Sequence, residues 1–211
     1  MTDYATGLAG AREDFCRYLA ACYYEPSIDF AEERLFDSML AAAGAIDPEL
    51  AECTRALGEA FFAESLQSLL VDYTALFIGP SQPRAMPYAS FWLTDDQSLR
   101  HEATMAVLDF YEQGGLDVSD EFRELPDHVA VEFEFLYLLA CSKNQASDAG
   151  DTAELSRIAA LHRRFLLEHL GTWLGGFADA LRSGAGTAFY RKLAGLTERF
   201  VRLEAELLRL N

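Results

Sequence analysis

The sequence predicts an all-α chain folded as one globular domain, and three observations carry that expectation. Apolar side chains recur at helical spacing in segment after segment, no stretch alternates as a strand would, and glycine or proline punctuates the segments. No internal repeat at a solenoid period is visible. The 51% hydrophobic content is ample for a core, so about eight to ten helices are expected in a single domain over residues 1–211.

From about Leu8 to Tyr24 one face is apolar, with Leu8, Phe15, Leu19 and Cys22 in helical register. Glu25-Pro26-Ser27 breaks that helix, and Ser27 caps a second through about Ala43, which Gly44 ends. Asp47-Pro48-Glu49 opens a third by the cap-then-proline arrangement. It is expected to run to Gly79 with a kink near Gly58. There Tyr73, Leu76 and Phe77 share one face, Gly79 supplies the left-handed conformation that closes a helix, and Pro80 forbids continuing it. The next dozen residues hold Pro83, Pro87 and several large apolar groups, including Met86, Tyr88, Phe91 and Trp92. That composition predicts an ordered loop carrying aromatic side chains.

Thr94-Asp95-Asp96 caps a further helix that carries Leu99, Met105, Leu108 and Tyr111 and stops at Gly114-Gly115. Pro126 is expected to start the next, through about Ser142. Its two apolar stripes are Val129, Phe133, Leu136 and Ala140, and His128, Glu132, Phe135 and Leu139, which makes it central. Residues 143–151 are small and polar and suggest a mobile connector or hinge. Leu155, Ile158, Leu161, Phe165 and Leu166 mark a helix ending near Gly171, and a shorter one carries Trp173, Leu174, Phe177 and Leu181 to Gly184. Phe189, Leu193, Leu196, Phe200, Leu203, Leu207 and Leu210 form a 4-3 seam that either docks on the rest of the chain or dimerises. Three heptads are short for a free coiled coil, which favours docking, and monomer and homodimer both stay open.

The net charge of −17 is unevenly placed. Residues 1–60 hold 12 acidic and 4 basic groups, 61–150 hold 15 and 4, and 151–211 hold 7 and 9. Such a field repels phosphate backbones, so no nucleic-acid partner is expected, whereas a basic peptide would be drawn in. Acidity that merely keeps a protein soluble fits equally well. No run approaches the roughly 18 apolar residues a membrane helix needs, and no basic-then-apolar leader is visible, so stable membrane insertion is not expected. Cys16, Cys22, Cys53 and Cys141 are scattered without a C-x-x-C pair, as for buried thiols in a reducing, cytoplasmic setting.

Enzyme chemistry finds no support in the pattern. No histidine follows a glutamate by three, as a di-iron bundle would need, and His101, His128, His162 and His169 lack zinc-ligand spacing. His101-Glu102 has no second histidine four residues on, Gly184-Ala185-Gly186 lacks its third glycine, and no phosphate-binding loop occurs. No cofactor or metal is expected, and no catalytic residue.

Taken together, the segment from Asp72 to Pro80 with its Leu76-Phe77-Ile78-Gly79-Pro80, the following Pro87-Tyr88-Ala89-Ser90, and the later Pro126-Asp127-His128 resemble the TorD/DmsD/NarJ family of cytoplasmic chaperones for molybdoenzymes. A third piece, Phe165 through His169-Leu170, Trp173, Phe177 and Phe189-Tyr190, looks like that family's C-terminal pattern. The resemblance covers roughly residues 60 to 200. It departs after Pro126-Asp127-His128, where the family often reads Glu-Leu-x-Phe-Met and this chain reads Glu132-Phe133-Glu134-Phe135-Leu136, which leaves the subfamily open.

The resemblance implies a non-enzymatic chaperone that binds the twin-arginine signal peptide of a molybdopterin-containing oxidoreductase precursor, assists cofactor insertion and proofreads before export. The alternative within the family binds the body or leader of a nitrate reductase-type subunit. Peptide-binding candidates carried over are Tyr73, Leu76, Phe77, Pro87, Tyr88, Ser90, Asp127, His128 and Glu132. From the residues alone, Asp127 either pairs with a guanidinium or satisfies free N–H groups at a helix start, and Tyr73, Leu76 and Phe77 are core by default. The binding role predicts that Asp127→Asn weakens peptide binding and spares thermal stability.

Overall fold

The computed structural model describes residues 2–79, 82–94, 101–116 and 124–210. The expected stop at Pro80, the cap at Asp95-Asp96 with Leu99, and the side chains of His101 and Leu210 lie outside the described residues. Among the described residues the chain is all-α. It has no strand, only an isolated antiparallel bridge between Tyr88 and His128.

Helix α1 (Thr2–Ala21) buries Phe15 and Leu19 and half-buries Leu8, and Cys22, one residue past its end, is buried too. The expected second helix is divided: a four-residue turn, α2 (Asp29–Glu32), is separated from α3 (Leu35–Ile46) by Arg34 in the left-handed region, φ 56°. Gly44 does not end α3, which runs on to Ile46 because Asp47 turns extended and caps the next helix instead. In α4 (Pro48–Ala63) the Asp47 carboxylate accepts the Leu50 N–H at 2.9 Å. Gly58 does not kink it, and the break comes at Glu64-Ser65, where the axis turns by 109° into α5 (Leu66–Tyr73). Ser65 caps α5 by accepting the Ser68 N–H.

The segment Thr74–Ile78 is a π-helical turn that continues α5. Its looser hydrogen bonding leaves carbonyls available to the loop that follows: Ala75 accepts from the Arg84 N–H and Leu76 from the Ala85 N–H at 2.9 Å. Gly79 (φ +65°) is confined to glycine, because a Cβ there would lie 2.9 Å from the Gln82 carbonyl carbon. The described part of the Pro-rich loop, residues 82–88, leads into a helical turn, α6 (Ala89–Trp92).

Helix α7 (His101–Gln113) stops at Gly114-Gly115. Helix α8 (Val129–Asp148) begins three residues after Pro126, capped by the His128 ring, whose Nδ1 accepts the Ala130 N–H. Both stripes expected on it are buried, so its central position is confirmed. The polar connector expected at 143–151 is mostly helix: α8 continues six residues past Ser142 with Ala146 buried, and only Ala149–Asp151 turn, helped by Gly150 at φ +70°.

Helix α9 (Thr152–Arg164), a second π-helical stretch (Phe165–Leu170) and α10 (Gly171–Gly184) follow one another with no loop between them. Gly171 is not a stop. The π-helical turn brings the Leu166 carbonyl oxygen to 2.7 Å from where a Cβ would stand, so the glycine relieves crowding. Helix α11 (Ala188–Leu210) buries Phe189, Leu193, Leu196 and Phe200 against α4 and α10 of its own chain. In the layered bundle α1 packs between α3 and α8, and α8 packs on α9. Phe15, Tyr23, Phe133, Phe177 and Phe200 are among the large side chains sealed at its centre. No single described helix is long and apolar enough to cross a membrane.

Candidate peptide-binding site

The two motif segments, far apart in the chain, meet in space. The Val129 N–H donates to the Pro87 carbonyl at 2.8 Å and the Ala89 N–H to the Asp127 carbonyl at 2.9 Å, forming the bridge between Tyr88 and His128. The Asp127 carboxylate completes the joint: Oδ2 accepts the Ser90 N–H at 2.9 Å, and the Thr104 hydroxyl approaches Oδ1 at 3.4 Å. Tyr111 seals it from beneath by donating to the Pro126 carbonyl at 2.6 Å.

This joint places Asp127 inside the fold. The side chain has no exposed surface, and among the described residues it neither pairs with an arginine nor caps its own helix. It caps α6, 37 residues back in the sequence. Ser90 is buried as its partner, and Leu76, Phe77 and Pro87 are likewise buried. Glu132 lies inside as well. It is fully buried, with Oε1 2.8 Å from His169 Nε2 and Oε2 accepting the Trp173 indole N–H at 3.2 Å. Burial pushes the Glu132 carboxyl upward against the pull of His169, and His169 is raised because Glu132 outweighs its own desolvation. These residues form a buried framework inside the protein.

What the framework presents to solvent is a patch of tyrosines and glutamates over His128. The Tyr88 ring meets His128 edge-on at 5.3 Å, and the Tyr24 ring stacks on it at 6.2 Å. Tyr24 donates to Glu134 Oε1 at 2.9 Å and Tyr88 to Glu124 Oε2 at 3.2 Å. Tyr73 lies close enough to Glu124 and Glu25 to feel both charges. All three tyrosines are half-buried. Burial and then Glu124 push Tyr73 and Tyr88 up to about 12, and burial and then Glu134 push Tyr24 upward as well. Glu134 itself is raised by burial. Among the described residues none of Glu25, Glu124 and Glu134 forms an ion pair. Flat aromatic faces beside unpaired carboxylates suit a planar, delocalised cation, which stacks and forks at the same time.

Of the nine residues expected from the sequence, Tyr73 and Tyr88 therefore reach this surface, and His128, 4% exposed, lies just under it. Tyr24, Glu25, Glu124 and Glu134 were not anticipated. One signal for Glu134 was available: on an otherwise apolar helix it stands two positions from Glu132, so the pair cannot both face inward. Among the described residues no group of three or more His, Cys, Asp or Glu side chains is placed to hold a metal ion.

Comparison with known proteins decides the family. The nitrate reductase delta subunit family matches residues 43–179. The chain is 30% identical over 190 residues to the chaperone protein TorD of Shewanella loihica, an alignment covering 86% of this chain and 82% of that one. It belongs to the TorD/DmsD/NarJ family of molybdoenzyme maturation chaperones. The TorD of Vibrio cholerae is 30% identical over 172 residues, covering 81% of this chain and 76% of its own. A protein from Archaeoglobus fulgidus assigned as a redox enzyme maturation protein shares the fold at a TM-score of 0.55. It is 20% identical and covers 91% of this chain and 93% of that one. The named TorD relatives are chaperones, so the role of the TorD/NarJ fold here is non-enzymatic.

Proposed function

We propose that this chaperone acts in the cytoplasm by binding the twin-arginine signal peptide of a molybdopterin oxidoreductase precursor, assisting cofactor insertion and delaying export until it is complete. The observation that carries the reading is the patch of half-buried Tyr24, Tyr73 and Tyr88 with the unpaired carboxylates of Glu25, Glu124 and Glu134. Arginine guanidinium groups would lie on the tyrosine rings and donate bidentate hydrogen bonds to the carboxylates of Glu124 and Glu134. Ile78 and Leu125, 58% and 42% exposed at the ends of the two motif segments, offer apolar contact to the hydrophobic part of the peptide. In this reading Leu76, Phe77, Pro87, Ser90, Asp127, His128 and Glu132 act indirectly, by holding the patch in shape.

The chemistry is equilibrium binding with no bond made or broken. A signal peptide is disordered when free, and ordering it offsets part of the contact energy, so affinity stays moderate and release remains possible. The chain's excess of acid over residues 1–150 speeds capture of a cationic leader and makes that capture salt-sensitive.

A second reading is favoured by the matched nitrate reductase delta subunit family: binding to the body or leader of a nitrate reductase-type subunit. Titration with a twin-arginine leader peptide and its double-lysine counterpart separates the two. The first reading expects roughly tenfold weaker binding of the lysine peptide, since lysine cannot fork or stack in the same way. Equal affinity for both peptides would contradict it.

A further inference from the structure

Towards the other end of α1 and α8, with Lys143 about 14 Å along α8 from Glu134 by helical rise, a second chemistry is assembled. A cavity of about 150 Å³ opens between α1, α8, α9 and α11. Leu136, Ala140 and Phe200 give it apolar walls, and Arg12, Lys143, His162 and Glu204 converge on it. We propose that this cavity is a binding site for a small organic monocarboxylate, its charged end held by Arg12 and Lys143 and its short alkyl body against Leu136 and Phe200.

Charge is the first argument. Two cations face a single carboxylate, so the cavity carries one excess positive charge inside a protein whose net charge is −17. A monoanion balances it, whereas a cation is repelled and a dianion overshoots.

Unmet bonding is the second. His162 is only 6% exposed, yet among the described residues its Nδ1 has no hydrogen-bond partner, and neither does the buried Nε of Arg12. Arg12 Nε and Glu204 Oε1 stand 3.1 Å apart as an ion pair, but their alignment does not make a hydrogen bond. Buried polar atoms of this kind are normally satisfied. A carboxylate entering beside Arg12 and His162 would accept from both. Lys143 is pushed down by burial while Glu204 draws it up, and Glu204 is pushed up by burial against Arg12 and Lys143, so all three charges share one poorly solvated space.

Size and polarity are the third. A cavity of about 150 Å³ takes a molecule of about six heavy atoms, as benzene-sized guests show elsewhere. Nucleotides and pterins are excluded on volume. The apolar walls distinguish a carboxylate with an alkyl tail from a bare oxyanion, which would leave them uncovered. Arg12, Lys143 and Asn144 are half-buried and mark the rim by which a guest enters, while Cys16, Leu136 and Phe200 form the floor.

The test is an NMR titration of the full chain with butyrate, with butyramide, butylammonium and inorganic phosphate as comparisons. Butyrate should give saturable shifts at the Arg12, Lys143 and His162 resonances, and each comparison compound should bind at least tenfold more weakly. Lys143→Met should weaken butyrate at least tenfold. Glu204→Gln, which raises the cationic excess, should tighten it several-fold, an effect that damage to the fold would not produce. The proposal is overturned by the absence of saturable shifts with butyrate, by phosphate binding as well as butyrate, or by Glu204→Gln binding no tighter than the parent.

Discussion

Glu132 and Glu134 stand two residues apart on α8 and live in opposite worlds. Glu132 is fully buried and spends both oxygens on His169 and Trp173. Glu134 faces partly outward, accepts one bond from Tyr24 and, among the described residues, forms no ion pair. Asp72 and Asp127 side with Glu132, and Glu124 and Glu25 side with Glu134. The acids that belong to the family's signature are consumed by the fold, and the acids outside it remain available to a ligand. A charged group is free to recognise something only where folding has left its bonds unmade.

That contrast can be broken at several points. The largest expected effect is at Asp72, whose carboxylate accepts the Gly186 and Thr187 N–H groups and the Thr187 hydroxyl, all at 2.7–2.9 Å, fastening the start of α11 to α5 across more than 100 residues. Asp72→Ala should cost about 3 kcal/mol in urea unfolding, because it strands buried donors. A loss under about 1 kcal/mol would mean that this signature acid is dispensable to the fold.

Acidification should act next, through His128. Burial lowers its pKa to about 4 from the ordinary 6.5, against the pull of Asp127. The unfolded chain therefore binds a proton that the folded chain refuses, and stability falls as pH drops from about 6.5 to about 4, by at most about 3 kcal/mol from this group. His162, lowered to about 3 by burial and then by Lys143 and Arg12, adds to the fall with the same sign. His128→Asn keeps a cap for the Ala130 N–H without titrating. The variant should show a shallower decline across that window, and an unchanged decline would place the loss elsewhere.

Asp127→Asn should lower stability by about 1–2 kcal/mol, or a few degrees in Tm, since an uncharged oxygen can still accept from Ser90 but less strongly. This reverses the expectation that the substitution would be silent in stability. Smallest of all is Tyr88→Phe, which removes an exposed bond to Glu124 and should change stability by less than about 0.5 kcal/mol.

How far the sequence could be read follows the range of the interactions. Local grammar announced α1, the Asp47-Pro48 start, the Gly79 turn and the apolar circumference of α8. It misplaced the break in α4–α5, because Ser65 reads as a cap only once the chain is known to turn there. It took Gly171 for a stop, since nothing in the residues themselves signals a π-helical turn crowding that position. The surroundings of the site were hidden for a related reason. Asp127 looked like a surface acid, and only the Ser90 N–H, brought up by the Pro87–Val129 contact, turns it inward. Tyr24 lies outside any motif and Glu134 at a position the motif leaves unspecified, and they join the patch because α1 and α8 pack side by side.

The most direct test measures twin-arginine peptide affinity and melting temperature together for Glu124→Gln/Glu134→Gln. The account predicts roughly tenfold weaker binding, most marked at low salt, with the melting temperature unchanged. Parent-like affinity in the double variant would contradict it and return recognition to some other surface.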